Sequence, residues 1–140
     1  MRRAIVLAPL LAAFLLGAPQ PATAQPATAQ PPRPTVVLRE VVEGMPRGDR
    51  QEVQVLTATI EPGQSTVFHT HRFPVTVYIL QGAFTLEMAG RETVTVTAGQ
   101  AMVEPANVRM TGHNRGTTEP TRVVIFYTTD PGGPFLDPIR

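Results

Sequence analysis

From Thr93 to Thr97 the chain reads Thr-Val-Thr-Val-Thr, polar and apolar residues in strict alternation. A period of two gives a strand one buried face and one wet face, and it is useless to a helix, whose faces repeat every 3.6 residues. The same rhythm fills most of the chain beyond residue 34. Thr35–Glu40, Gln51–Ile60, Ser65–His71, Val75–Leu80, Ala83–Met88, Arg91–Thr97, Ala101–Glu104, Val108–Thr111 and Arg122–Thr129 read as strands. Pro62-Gly63, Pro74, Gly82, Ala89-Gly90 and Ala98-Gly99 punctuate them as turns. No segment carries the stripe of an amphipathic helix. Short strands at near-regular spacing imply an all-β fold, a sandwich or barrel.

The N-terminus reads as an address. Arg2-Arg3 precede an apolar stretch, Ala4–Ala18, and Ala22-Thr23-Ala24 offers a small-x-small cleavage pattern. The stretch is shorter and more interrupted than the ~20 residues of a membrane span. Residues 1–24 are therefore expected to be a signal peptide, placing a mature chain without a membrane span in the periplasm or outside the cell. Residues 25–34, QPATAQPPRP, continue a twofold Pro-Ala-Thr-Ala-Gln repeat and have too little apolar surface to fold, as befits a linker. Residues 35–140 are left as one domain with one modest core.

Composition removes whole classes of function. Arg supplies all 12 positive charges against 11 acids, without a basic run, so a nucleic-acid partner is not expected. Cysteine is absent, which excludes disulfides, thiol catalysis and zinc–thiolate sites. Ser65 is the one serine, outside any Gly-x-Ser-x-Gly setting. Glu61, Glu87 and Glu104 are separated by turns and do not read as an acid–base pair.

The chemistry-bearing residues are His69 and His71. In a strand they project from one face about 7 Å apart, within reach of a common metal ion. Gly63, His69-x-His71 and Gly82, followed by Gly99, Pro105 and Asn114, resemble the two conserved motifs of the cupin superfamily. The string His-x-His-x2-Pro-x3-Tyr-x-Leu-x-Gly is similar to a subgroup of small bacterial cupins. The resemblance implies a single cupin-type β-barrel, or jelly roll, with a metal site in its interior.

The resemblance is incomplete at the ligand positions. Its glutamate slot holds Val75, a glycine slot of the second motif holds Asn107, and the third histidine slot holds Met110. Met110 is a candidate third ligand, giving a soft His2Met set that favours copper, or it is a filler of the pocket. His113 points away from that slot if its strand continues and joins the site if the chain turns at Gly112. Tyr78 and Gln81 are further donors. Val75, Val77, Tyr78 and Ile79 are expected to line an apolar mouth suited to a small-molecule ligand. The family implies Fe, Mn, Ni, Zn or Cu, with dioxygenase or isomerase chemistry. A non-catalytic binding barrel and a structural barrel with a decayed site are the competing readings. An unpaired Thr35–Val42 invites pairing with a second copy in a homodimer.

Overall fold

Each expected strand needs a neighbour to satisfy its backbone, and the pairing found in the structure decides which survive. The structure is a computed structural model that describes residues 31–140; the expected signal peptide and most of the expected linker lie outside the described residues. The folded unit runs Pro34–Arg140. Among the described residues nine strands are formed: β1 (Glu52–Ile60), β2 (His69–Thr70), β3 (Val75–Gln81), β4 (Ala83–Met88), β5 (Val94–Thr97), β6 (Ala101–Glu104), β7 (Met110–His113), β8 (Thr121–Thr129) and β9 (Asp137–Pro138). They make a four-stranded sheet, β1-β8-β3-β6, and a five-stranded sheet, β5-β4-β7-β2-β9. All named pairings are antiparallel. Among the described residues no helix is long and apolar enough to cross a membrane.

The all-β expectation holds, and alternation explains the core. Val75, Val77 and Ile79 on β3 turn inward with Val123, Ile125 and Tyr127 on β8. They meet Phe84 and Leu86 of β4 and Met110 of β7 from the other sheet. The outward set of β3, Thr76, Tyr78 and Leu80, leaves Tyr78 half-buried on the opposite face.

Two turns have exact backbone requirements. Gly82 sits at φ +73°, and a Cβ there would lie 2.8 Å from the carbonyl oxygen of Pro120, so the corner between β3 and β4 admits glycine alone. Asn107 stands in the cupin glycine slot at φ 58°, the left-handed geometry that asparagine tolerates. Its N–H donates to the carbonyl of His71 at 2.7 Å, tying the turn between β6 and β7 to the chain that leaves β2.

Two expectations are corrected. Thr35–Glu40 is not a strand: it pairs with no strand of the folded unit, and β-propensity without a pairing partner forms nothing. Ser65–His71 shrinks to one bridge at Ser65 and the two residues of β2. The C-terminal segment, for which no strand is predicted, returns to pair Asp137 with Thr70 and Pro138 with His69. Pro138 is tolerated because it sits on an edge strand.

Asn114 closes the barrel end. Its buried amide donates to the carbonyls of Ile60 and Glu119, both at 2.9 Å, and its Oδ1 accepts from Gly116 N–H at 2.9 Å. Replacing Asn114 with Ala should lower unfolding free energy by about 2–4 kcal/mol, because it strips partners from buried backbone groups. Urea denaturation measures the loss, and a midpoint unchanged from wild type would contradict it.

Candidate metal centre

β2 is short because its job is positional. It lies between β7 and β9 and carries His69, while His71 follows just beyond its end. Both side chains are almost fully buried, His69 at 4% exposure and His71 at 1%. Glu104, the last residue of β6, is buried beside them at 5%. The Nε2 atoms of the two histidines are 3.0 Å apart, and His71 Nε2 is 3.0 Å from Glu104 Oε2.

The opposite ring nitrogens settle the tautomers. His69 Nδ1 lies 2.7 Å from the carbonyl of Val67, and His71 Nδ1 lies 2.7 Å from the carbonyl of Phe135. A carbonyl only accepts, so each Nδ1 carries the proton and donates. Each Nε2 of a neutral ring then presents a bare lone pair, and both lone pairs converge with a carboxylate. Three electron-rich groups in so tight a space repel one another unless a positive centre lies among them. Their ligand atoms all fall within 4.8 Å of one another, the disposition of a metal-binding triad.

A cavity of about 100 Å³ adjoins the cluster. Ile60, Val77, Phe84, Ile125 and Phe135 supply its apolar wall. Thr66 is the wall's one polar side chain outside the cluster. Its hydroxyl is already committed, donating to the Val67 carbonyl at 3.1 Å and accepting from Gly112 N–H at 2.9 Å. Phe135 also packs its ring on His71 with centroids 4.8 Å apart.

Comparison with known proteins agrees with this architecture. The cupin domain model matches residues 56–127, just over half of the chain. The chain belongs to the cupin family. Among solved structures, a protein with a double-stranded β-helix domain from Klebsiella pneumoniae subsp. pneumoniae aligns at 18% identity and TM-score 0.54, covering 74% of this chain and 91% of that one. A cupin-like protein from Thermotoga maritima aligns at 20% identity and TM-score 0.51, covering 62% of this chain and 64% of that one. A structure of DMSP lyases aligns at 17% identity and TM-score 0.54, covering 63% of this chain but only 44% of the lyase, so the cupin spans under half of that protein. At these identities the likeness is one of fold. No curated protein matches the chain.

The cupin's departures from the family motif now have positions. Val75, in the glutamate slot, pairs in register with Glu104 on the neighbouring strand. Directly opposed residues have Cβ atoms roughly 5 Å apart and share a face. The carboxylate is thus delivered from β6 in place of β3. Sequence reasoning missed Glu104 by setting it aside with Glu61 and Glu87 as acids separated by turns. The missed signal was the alternation of Ala101–Glu104, which puts Glu104 on the same face as buried Met102, and a carboxylate on a core face needs a cationic partner.

The structure brings His69 and His71 together with Glu104, and the remaining candidates take other places. Met110, fully buried, faces His69 and Met88 across its two ladders and belongs to the apolar core; the cavity wall does not include it. His113 lies on the other face of β7, its Nε2 3.3 Å from Glu87 Oε2, with Arg115 also on that carboxylate. Val77 lines the cavity, Val75 and Ile79 pack in the core behind it, and neither Tyr78 nor Gln81 reaches the wall.

Burial pushes the His69 imidazole below its ordinary range, against the opposing pull of the Val67 hydrogen bond. The unfolded chain therefore binds a proton at this residue more readily than the folded one, and stability falls as pH drops through the ordinary imidazole range near 6.5. In metal-free protein, the urea midpoint should fall further between pH 7.5 and pH 5 in wild type than in His69→Asn. Equal decreases would contradict the assignment.

Proposed function

We propose that this cupin binds a divalent transition-metal ion through His69, His71 and Glu104 and acts on a small organic molecule there, as a metal-dependent oxidoreductase of the dioxygenase type or as an isomerase. The observation that carries the reading is the commitment of both Nδ1–H groups to carbonyls, which aims both Nε2 lone pairs at one point beside Glu104. The carboxylate makes the donor set harder than the His2Met set expected from sequence. Two imidazoles with one carboxylate suit Fe, Mn, Ni, Zn or Cu in the divalent state, and this is the set that non-haem iron oxygenases use with open positions. A bound metal would supply Lewis acidity and places for substrate to dock.

The protein's own residues do the preparatory work. The Val67 and Phe135 carbonyls hold the rings in the ligating tautomer and raise their basicity. The aliphatic and aromatic wall keeps bulk water from the cluster and strengthens every electrostatic contact inside it. The leader pattern at Arg2-Arg3 and Ala22-Thr23-Ala24 supports a site of action outside the cytosol. A second reading, a barrel that holds a ligand without turnover, is favoured by one feature: with Thr66 committed, the wall offers no proton-transfer group beyond the cluster.

Metal analysis of untagged protein decides the donor set. Wild type should carry close to one ion per chain. His71→Ala and Glu104→Gln should each weaken binding by at least about tenfold, since even outer-shell losses reach that scale, while Met110→Leu stays within about threefold because volume-conserving core exchanges are well tolerated. Unchanged metal content in Glu104→Gln would overturn the reading. Turnover or mere binding of a screened small molecule by the loaded protein then separates catalyst from binding barrel.

A further inference from the structure

The wall of the cavity is built almost entirely from the two sheets and the chain beside β2. Its exception is Phe135, which belongs to a C-terminal strap, residues 131–139, laid over the barrel after β8 ends at Thr129. None of the strap's residues is buried. It leaves the barrel through Asp130-Pro131-Gly132-Gly133, a turn closed by Gly133 N–H donating to the Asp130 carbonyl at 2.9 Å, with Gly132 at φ +77°. Beyond Phe135 it is held by the two residues of β9, by Ile139 N–H donating to the Phe68 carbonyl at 2.8 Å, and by an Arg72–Asp137 clasp. That clasp is bidentate, at 2.9 and 3.1 Å, but its side chains are 54% and 42% exposed. Exposed pairs of this kind, screened by solvent, hold only weakly. A segment with few buried contacts and solvent-facing bonds lies at the low-stability end of a fold.

Phe135 does two things at once. Its ring forms part of the cavity wall, packed on His71 at 4.8 Å and edge-on to Tyr127 at 5.6 Å. Its carbonyl fixes the tautomer of His71. With Phe135 in place the enclosed space is about 100 Å³, smaller than the ~150 Å³ engineered cavity that accepts benzene. The wall also lacks any Arg or Lys, so a ligand's own carboxylate or phosphate would be buried there without a cationic side chain.

We propose that Phe135 is the gate and the size-determining residue of this site, and that the strap admits small uncharged molecules, fewer in atoms than a substituted aromatic ring, by swinging away from β2. Outward movement opens the cavity and in the same motion withdraws the carbonyl that orients His71, so ligand entry and the geometry of the metal ligands are coupled. The proposal rests on the metal reading for its chemistry, but the gate is testable apart from it.

Cobalt(II) replaces the native ion as a spectroscopic probe, and imidazole is titrated against 4-phenylimidazole at pH 8. Wild type should take imidazole and bind 4-phenylimidazole at least about tenfold more weakly, the cost of forcing a ring into a filled space. Phe135→Ala should narrow that ratio to about threefold or less, as truncation opens the space the ring needs. Equal binding of both probes by wild type, or an unchanged ratio in Phe135→Ala, overturns the gate while leaving the metal site standing. If cobalt does not bind, the metal reading fails, and hydrogen exchange of the metal-free protein still decides the gate. There the Ile139 amide should exchange far ahead of β3 and β8, and Arg72→Ala should speed it roughly two- to fivefold. Strap amides that exchange only in step with β8 overturn the proposal.

Discussion

The site depends on two hydrogen bonds that point away from it. By donating Nδ1–H to the carbonyls of Val67 and Phe135, His69 and His71 each commit one nitrogen to the backbone and turn the other toward Glu104. Burial shuts these nitrogens away from bulk water. With Glu104 drawn into the same space, the cluster is rich in donor atoms, and on the proposed reading a cation would gather them. Much of the surrounding architecture can be seen as holding this arrangement: β2 pinned between β7 and β9, Asn107 fastening the main chain of His71, and the strap presenting its carbonyl.

The carboxylate shows how a site can survive the loss of a motif position. Val75 removes the family's glutamate from β3, and the neighbouring β6 restores the charge from the residue paired with it. A sheet makes such relocation easy, because opposed residues on adjacent strands occupy nearly the same place on one face. On the proposed metal reading this would bear on specificity, since the donor set would be one of nitrogen and oxygen in place of the thioether alternative.

The fold was legible because strand alternation is a local property, written residue by residue in stretches such as Val75–Leu80 and Arg122–Thr129. The elements that failed to match are those whose existence depends on a partner elsewhere in the chain. Thr35–Glu40 has strand composition and no paired strand, whereas Asp137–Pro138 has poor strand composition and pairs because β2 offers an edge. The histidine pair was readable from its spacing. Glu104 was not, because its role follows from cross-strand register, and Phe135 was invisible because nothing local says that the strap returns to β2, bringing both its ring and a carbonyl that every residue possesses.

The long ladder between β1 and β8 carries a last consequence. Its partners, from Ile60↔Thr121 to Glu52↔Thr129, are more than 60 residues apart in the chain. Pairing at such separation must overcome a large loop-closure entropy, which slows folding of barrels of this kind. The candidate site draws on β2, β6 and the strap that follows β8, so its donors and their supporting carbonyls converge only once that ladder is shut. On the proposed metal reading, an ion would find little to hold onto in the nascent chain, and its capture would come as the closing act of folding.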